Sequence, residues 1–206
     1  MNLLLKIGLT GLALIVGAAV IGPLIAPFSP AHMDITRELL PPGDGSVLGT
    51  GVNGIDVFSW VLHDAGVSLT VGLSVVFVSL SIGLVMGTTA GYFGGRFDFV
   101  LMRIIDVLLA FPGILLAIYI AAVLPPSLTN VVLALSATGW VGYARLVRGQ
   151  VLQVREMEYI HACRAMGMRP PRIIIRHILP NIAGPVLVHG SFGLGGAILG
   201  EAALSF

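Results

Sequence analysis

Apolar residues are concentrated in five long runs, separated by shorter polar stretches. The runs cover residues 3–26, 69–92, 100–124, 128–145 and 178–204. A helix of roughly 20 apolar residues crosses a bilayer core of about 30 Å, and each run reaches or approaches that length. Since hydrocarbon offers no water to backbone amides, each run is predicted to be a helix. The pattern therefore predicts an all-α polytopic membrane protein with about five transmembrane helices.

Composition supports this fold class. Of the 206 residues, 56% are hydrophobic and only 10% are charged, whereas soluble domains carry about 25% charged residues. Mean hydropathy is +0.99. Cys163 is the single cysteine, so no intrachain disulfide can form. The first run is longer than the apolar region of a signal peptide and no small-x-small cleavage site follows it, which favours a retained anchor.

The distribution of arginine and lysine predicts the orientation. Cations near helix ends are enriched on the cytoplasmic side. With a cytoplasmic N-terminus, the polar loop 27–66 lies outside and carries Arg37 alone among cations, beside five acids including Asp44. Ten of the eleven lysines and arginines then lie inside. We therefore expect a multi-pass protein of the inner or plasma membrane with its N-terminus in the cytoplasm.

The one large cytoplasmic feature is an arginine-rich stretch between the last two runs. Within it, residues 156–166 have helix-forming character, and Tyr159, Ile160, Cys163 and Met166 recur at spacings of three and four. Acidic residues stand at the start and Gly167 at the end, as helix polarity and a C-cap require. The stretch is predicted to form a short amphipathic helix.

Pro170 and Pro171 are expected to end this helix before the chain re-enters the membrane. A short helix with one apolar face can lie on a lipid surface or bind in a groove of a partner protein. Cations on its other face suit either use. A loop that does no more than orient the protein is the simplest alternative.

The stretch also resembles the cytoplasmic loop of ABC-importer permeases. That loop typically reads Glu-Ala-Ala, three residues, Gly, nine residues, Ile-x-Leu-Pro. Here His161-Ala162-Cys163 is followed at the same spacing by Gly167 and then by His177-Ile178-Leu179-Pro180. The segments LGTGVNGIDVFSWVLHDAGVSLTVGL, GYFGGRFDFVLMRIIDVLLAFPGILLA and TGWVGYARLVRGQVLQVREMEYI resemble the dipeptide, oligopeptide and nickel branch. The similarity covers nearly the whole chain.

The resemblance implies the fold of type I importers and a coupling helix that docks on a separate ATPase subunit. The residues expected at or near that contact are Glu158, Tyr159, Ala162, Cys163, Arg164, Ala165, Met166, Gly167, Leu179 and Pro180. The implied partners are ABC ATPase subunits, a second homologous permease subunit and an extracytoplasmic substrate-binding protein, with membrane lipid around them and no nucleic acid. Peptides, nickel or small oligosaccharides are the implied cargo, moved by alternating access.

Two regions depart from the family pattern. Where the family usually reads Gly-Thr-Asp-x-x-Gly-Arg-Asp, the loop reads GTGVNGID over residues 49–56, and Trp60 and Gly66 replace usual arginines. The departures predict altered ion pairs in this loop. Family members generally continue into a sixth helix after Leu-Ser-Phe, and this sequence ends at Phe206. We therefore expect either a fragment or an incomplete permease.

Several kinds of chemistry lack their motifs. Lys6 is the only lysine, so a Walker A loop is excluded and ATP hydrolysis must belong to a partner. The five histidines lack metal-ligand spacing, and no cofactor is predicted. His189 and Ser191 suggest an intramembrane hydrolase, but the surrounding nucleophile motif is missing. A transporter or channel driven by an ion gradient is the alternative function, and it would require acids along its pathway.

Charged residues within the predicted spans are few. Arg103 and Asp106 lie three apart and are expected to pair near the cytoplasmic end of their helix. Glu201 lies towards the outer end of the last helix, with a role left open. Pro112 is expected to bend the third helix. Glycines at 83, 87 and 91, and at 196 and 200, have the spacing of close helix contacts, although glycine is simply common in membrane helices.

These predictions divide the chain into two parts. Residues 1–66 form an anchor helix with an extracytoplasmic loop, and residues 67–206 form the permease domain, with its coupling loop at about 149–177. The predicted function is the pathway-forming permease subunit of an ATP-driven importer, without enzymatic activity of its own.

Overall fold

The structure, a computed structural model, describes residues 3–29, 32–43 and 45–204. Asp44 of the loop and the Ser205–Phe206 ending lie outside the described residues. Eight α-helices follow one another within these described ranges. They are α1 (Leu3–Ile25), α2 (Val57–Phe93), α3 (Gly95–Leu109), α4 (Gly113–Val123), α5 (Leu128–Arg155), α6 (Glu158–Ala165), α7 (Pro170–Ile173) and α8 (Leu179–Leu204). A π-turn, Ile174–Ile178, joins α7 to α8, and two short 3₁₀ turns lie in the loop before α2.

The predicted all-α class is confirmed, because no strand occurs in the described ranges and only two isolated bridges are present. By length and composition, three described stretches could cross a membrane: Leu5–Ile25, Val57–Phe93 and Pro170–Leu204. The bent pair α3 and α4 makes a fourth if it is one span. The predicted fourth run is helical in α5, but α5 is not apolar enough to qualify. This criterion gives three or four candidate spans, where about five were predicted.

The predicted break at Pro112 is confirmed. Helix α3 ends at Leu109, α4 begins at Gly113, and their axes differ by 84°. Pro112 has no amide hydrogen to continue the helix, and its extended backbone (ψ 115°) caps α4. A bend of this size corresponds to a broken span or a re-entrant segment rather than to a gentle kink.

The chain divides into two compact units, Met1–Thr70 and Val71–Phe206, with α2 crossing the boundary. In the first unit, α1 packs on the start of α2 through glycine. A Cβ on Gly22 would lie 2.9 Å from the carbonyl oxygen of Leu62, and one on Gly66 would lie 3.0 Å from that of Ala19. The assignment of separate anchor and permease parts stays a prediction.

In the second unit, α2 and α5 pack through the predicted glycine triplet. A Cβ on Gly87 would lie 2.5 Å from the carbonyl oxygen of Ala144, and one on Gly91 would lie 2.8 Å from the Cβ of Val151. A Cβ on Gly83 would overlap the side chain of Tyr143. In the second predicted pair, a Cβ on Gly200 would lie 3.0 Å from Cδ2 of Leu135, whereas Gly196 has no described neighbour within 4 Å, so close contact there stays a prediction.

Candidate functional site

The ends of α6 are set by its own sequence. Met157 has extended backbone before the helix, and Gly167 (φ 76°) adopts a left-handed conformation that glycine tolerates best. The amide of Gly167 donates to the carbonyl of Arg164 (2.9 Å), and that of Met168 donates to the carbonyl of Cys163 (3.1 Å). These two bonds form the Schellman motif that closes many helices. The predicted C-cap is therefore confirmed.

The inward face of α6 is narrower than predicted. Ile160 and Cys163 are buried, whereas Tyr159 is 38% and Met166 is 73% exposed. Met166 follows the end of the helix as its C-cap residue, so it does not continue the apolar face. The helix also begins at Glu158 rather than at Glu156, which caps the end of α5.

Ile160 and Cys163 lie in an apolar cluster whose buried members join α6 to α5, α7, the π-turn and α8. Its buried members are Val147, Val151, Val154, Ile160, Cys163, Ile173, Ile178, Ile182 and Val186. Partly buried Leu80, Leu84 and Tyr92 of α2 pack against this cluster, and so does Met168. The cluster therefore fixes α6 on a base formed by α2, α5, the π-turn and α8.

The outward face of α6 carries polar side chains together with two small alanines. Glu158, His161, Ala162 and Ala165 are exposed, and the two alanines leave the backbone accessible to a close neighbour. Arg164 is also exposed, and its guanidinium carbon lies 5.3 Å from the ring centroid of Tyr92 at the end of α2. A cation over an aromatic face in this way contributes modestly at exposed sites.

The π-turn after α7 keeps the buried face of this segment in register. Ile173, Ile178 and Ile182 are all buried, at steps of five and then four residues. In an α-helix, a step of five would place Ile178 about 140° away from Ile173. The amide of Leu179 instead bonds to the carbonyl of Ile174, five residues back, which widens the turn by one residue. Both ends of the segment thereby face the cluster.

Pro170 and Pro171 start α7 rather than ending α6. They occupy its first positions, where a missing amide hydrogen costs nothing. Of the two remaining predicted coupling residues, Leu179 packs against the apolar cluster. Pro180 is exposed and lines a surface groove of about 480 Å³ with Pro171, Arg172, Ile175 and Arg176.

A polar contact ties α6 to the start of α8. The side-chain amide of Asn181 donates to the hydroxyl oxygen of Tyr159, with 2.7 Å between Nδ2 and Oη. The ring of His177 lies 6.5 Å from the ring of Tyr159, tilted by 58°. The buried Nε2 of His177 has no hydrogen-bond partner among the described residues. Asn181 was not singled out from the sequence, because nothing local indicates its partner.

The predicted pairing of Arg103 with Asp106 is wrong. Asp106 accepts a hydrogen bond of 2.7 Å from Arg145 of α5, while Arg103 lies over the ring of Phe99, 5.6 Å from its centroid. The partner of Asp106 therefore comes from α5 rather than from its own helix α3. Both members of the Arg145–Asp106 pair are exposed, and such pairs contribute little to stability.

A second ion pair between α3 and α5 is more buried. Arg148 donates to both carboxylate oxygens of Asp98, with 2.6 Å for the bond from NH2 to Oδ2. Side-chain exposure is only 29% for Arg148 and 17% for Asp98. Two parallel bonds of this kind fix orientation as well as distance. The sequence offers no signal for a pair separated by fifty positions.

Arg155 caps the end of α2. Its guanidinium donates to the carbonyl oxygens of Gly91 (2.8 Å) and Tyr92 (3.3 Å), which the helix end leaves without amide partners. A positive charge also suits the negative end of a helix dipole. This cap was not foreseen from the sequence.

Glu201, whose role the sequence left open, is buried in the last turns of α8. Its burial was not foreseen from the sequence.

The hydrolase alternative gains no geometric support. The ring of His189 packs edge-on against Tyr143, 5.0 Å between centroids, while the hydroxyl of Ser191 donates to the carbonyl of Leu187. Within the described residues, no group of three or more histidine, cysteine, aspartate or glutamate side chains is placed to hold a metal ion.

Helices long enough to span a membrane, with the short capped helix α6 between α5 and α8, define a multi-pass helical protein, and the family match identifies its fold as that of the type I ABC importers. The chain belongs to the family of binding-protein-dependent transport system inner membrane components. The model of this family matches residues 79–206. Residues 2–42 match the N-terminal transmembrane domain of oligopeptide transport permease C. The family predicted from the loop motif is therefore confirmed.

Similar proteins include three bacterial permeases. The dipeptide transport system permease protein DppC of Bacillus subtilis is 40% identical over 205 residues, which are 100% of this chain and 64% of that protein. DppC of Alkalihalophilus pseudofirmus is 40% identical over 98% of this chain and 67% of its own length. The oligopeptide permease OppC of B. subtilis is 35% identical, over 100% of this chain and 67% of that protein. The chain thus spans about two thirds of these relatives.

Proposed function

We propose that the chain is the permease subunit of an ATP-driven importer of peptides, and that α6 is its docking helix for an ATPase subunit. The names of the similar proteins, which are dipeptide and oligopeptide permeases, support peptides over nickel or oligosaccharides as cargo. A second permease subunit and an external substrate-binding protein complete the proposed assembly. The cytoplasmic position of α6 and of the N-terminus is part of this proposal.

The observation that carries the proposal is the opposition of two faces on α6. Ile160 and Cys163 anchor the helix in an apolar cluster, so a force on the helix is passed to α5 and α8. Ala162 and Ala165 are exposed on α6, where a partner groove could approach the backbone closely. A helix that served only to orient the loop would need neither feature.

Co-purification with the ATPase subunits encoded beside this chain tests the proposal. Ala162→Trp places a large ring on the outward face without entering the apolar cluster, so the ATPase subunit should be lost while the permease still inserts. Ala122→Trp, at an exposed position near the end of α4, is the matched control and should retain the subunit. Retention of the ATPase by both variants would contradict docking through α6.

The fate of ATP turnover separates docking from coupling. In proteoliposomes, Gly167→Leu should disturb the left-handed turn and lower the number of peptides imported per ATP hydrolysed. Normal uptake of a labelled alanine peptide by this variant would argue against a coupling role for the turn. Import that persisted without any ATPase subunit would favour the gradient-driven alternative.

A further inference from the structure

We infer that Tyr159 and Asn181 are positioning residues that hold α6 and α8 together across the π-turn, so that the two helices move as one body. This inference rests on the proposed docking of α6 and assigns Tyr159 to a contact within the permease rather than to the ATPase contact. A side-chain hydrogen bond joins the two helices in the described residues, with 2.7 Å between Nδ2 of Asn181 and the hydroxyl oxygen of Tyr159.

The position of this bond along the chain gives it mechanical importance. Between α6 and α8 lie the Gly167 turn, the four-residue α7 and the π-turn. A π-turn replaces the ordinary helical bonds with longer-range ones and occurs frequently at functional sites. Without a cross-connection, a movement of α6 would have to pass through this weakened segment to reach α8.

The Tyr159–Asn181 bond links α6 directly to α8, on either side of the π-turn. Tyr159 lies in the first turn of α6, and Asn181 lies in the first turn of α8, directly beyond Ile178. The apolar contact from Ile160 and Cys163 to Ile178 and Ile182 runs alongside it. The apolar cluster resists separation of the helices, and the directional hydrogen bond resists sliding and rotation between them.

His177 provides a second sign that this junction is under constraint. Its ring lies beside Tyr159, and its Nε2 is buried without a hydrogen-bond partner among the described residues. Burial of an unpaired polar nitrogen costs free energy, so the surrounding contacts must hold the ring in place. The ring of Tyr159 is one of these contacts, and its hydroxyl is held by Asn181.

The variants remove one side of the bond at a time in the assembled transporter. Tyr159→Phe removes only the hydroxyl, and Asn181→Leu removes the amide at similar size. Tyr119→Phe removes the hydroxyl of an exposed tyrosine on α4 and is the matched control. Each variant, and the Tyr159→Phe/Asn181→Leu double variant, is purified with its ATPase subunits and reconstituted in vesicles.

The first measurement is the ATP consumed per molecule of labelled dialanine or trialanine imported. We expect both single variants to keep the ATPase subunit and to raise this ratio about fivefold, the factor that one ordinary hydrogen bond provides. The double variant should be no worse than either single variant, because the two residues act through one bond. Tyr119→Phe should leave the ratio unchanged.

The second measurement does not depend on the cargo. Cys163 is buried and stays in place, and spin labels on cysteines introduced at the exposed positions 157 and 199 report the distance from the start of α6 to the far part of α8. In the parent protein this distance should stay the same with and without vanadate-trapped nucleotide. In Tyr159→Phe and Asn181→Leu it should change when nucleotide is trapped.

The outcomes distinguish the proposed function from the inferred role of Tyr159 and Asn181. Failure of the parent chain to retain an ATPase subunit overturns the proposed function, and with it the inference. A retained subunit with a normal ratio and a constant label distance in Tyr159→Phe overturns the inference alone. Loss of the ATPase subunit in Tyr159→Phe, or additive effects in the double variant, would also overturn it, because Tyr159 would then act independently of Asn181.

Discussion

The loop before α2 and the region around α6 are both short polar segments between long apolar helices, yet different forces hold them in place. We call residues 45–59 the Asp56 loop. Asp56 is buried and accepts hydrogen bonds from the hydroxyls of Ser46 and Ser59 and from the amide of Ser59 (2.8 Å). Helix α6 is held instead by Ile160 and Cys163 in an apolar cluster.

This difference shows what each region can tolerate. A network of directed hydrogen bonds around one carboxylate depends on the charge and position of that group. An apolar cluster depends on volume and is insensitive to the ionisation of its members. The Asp56 loop should therefore respond to pH and to removal of one acid, and the α6 region should respond to loss of side-chain volume.

The largest expected effect is the loss of volume beneath α6. Ile160→Ala should lower the free energy of unfolding by about 2–5 kcal/mol, because the fully buried side chain leaves a cavity among its neighbours. Thermal unfolding in detergent measures the change. Ile175→Ala is the matched control, since this isoleucine of the π-turn is 67% exposed and its loss should matter by no more than about 0.5 kcal/mol. Equal effects would contradict the apolar anchoring of α6.

The next effect is the loss of the central carboxylate in the Asp56 loop. Asp56→Ala removes the cap at the start of α2 and leaves the buried hydroxyl of Ser59 without its acceptor, which should cost about 1–3 kcal/mol. Hydrogen exchange of residues 45–59 should accelerate while that of α6 stays unchanged. Asp34→Ala, at a half-buried acid that caps the short turn Ile35–Arg37 outside this loop, is the control; comparable acceleration in both variants would show that Asp56 has no central role.

Acid should separate the two regions without any mutation. Burial raises the pKa of Asp56, but the hydrogen bonds from Ser46 and Ser59 outweigh it and hold the pKa below its usual value of 3.8. A carboxyl group with a lowered folded pKa stabilises the fold above its unfolded pKa, and this contribution is lost as pH falls through the folded pKa. The Asp56 loop should therefore loosen below about pH 4, while α6 keeps its packing.

The fluorescence of Trp60, in a Trp140→Phe background, can follow this acid transition beside the loop. Asp56→Asn should lack the transition, because it has no group to titrate there. A transition of the same midpoint in Asp56→Asn would assign the change to another acid.

The smallest expected effect on stability comes from two ion pairs between α3 and α5, which lie outside both regions. Arg145→Gln breaks the exposed pair with Asp106 and should lower stability by at most about 1 kcal/mol. Arg148→Gln breaks the more buried pair with Asp98 and should cost more than Arg145→Gln in the same thermal assay. The reverse order would mean that exposure does not decide the strength of these contacts.

Local signals were sufficient for much of the fold and for part of the site. The break at Pro112, the existence of α6 and the left-handed turn at Gly167 were predicted because each depends on residues within one or two helical turns. Helix α2 extends further than predicted and starts at Val57, since Asp56 caps it before the apolar run begins. Asp56, the acid that residues 49–56 share with the family motif, is thus the centre of the hydrogen bonds in the Asp56 loop.

The π-turn is explained by burial that only the structure shows. Buried Ile173, Ile178 and Ile182 show a step of five followed by a step of four, which an unbroken α-helix cannot keep on one face. The sequence alone, however, does not reveal which isoleucines are buried in a stretch that reads RIIIRHI.

By itself the sequence determined the all-α membrane class, the family and the place of the short helix between spans, because composition, spacing and turn residues act over short distances along the chain. The tertiary structure alone decided the partners: Arg145 rather than Arg103 for Asp106, Asp98 for Arg148, the α2 carbonyls for Arg155 and Tyr159 for Asn181. These groups are 22 to 64 residues apart in the chain. Their pairing depends on how the helices pack, and no local pattern records that distance.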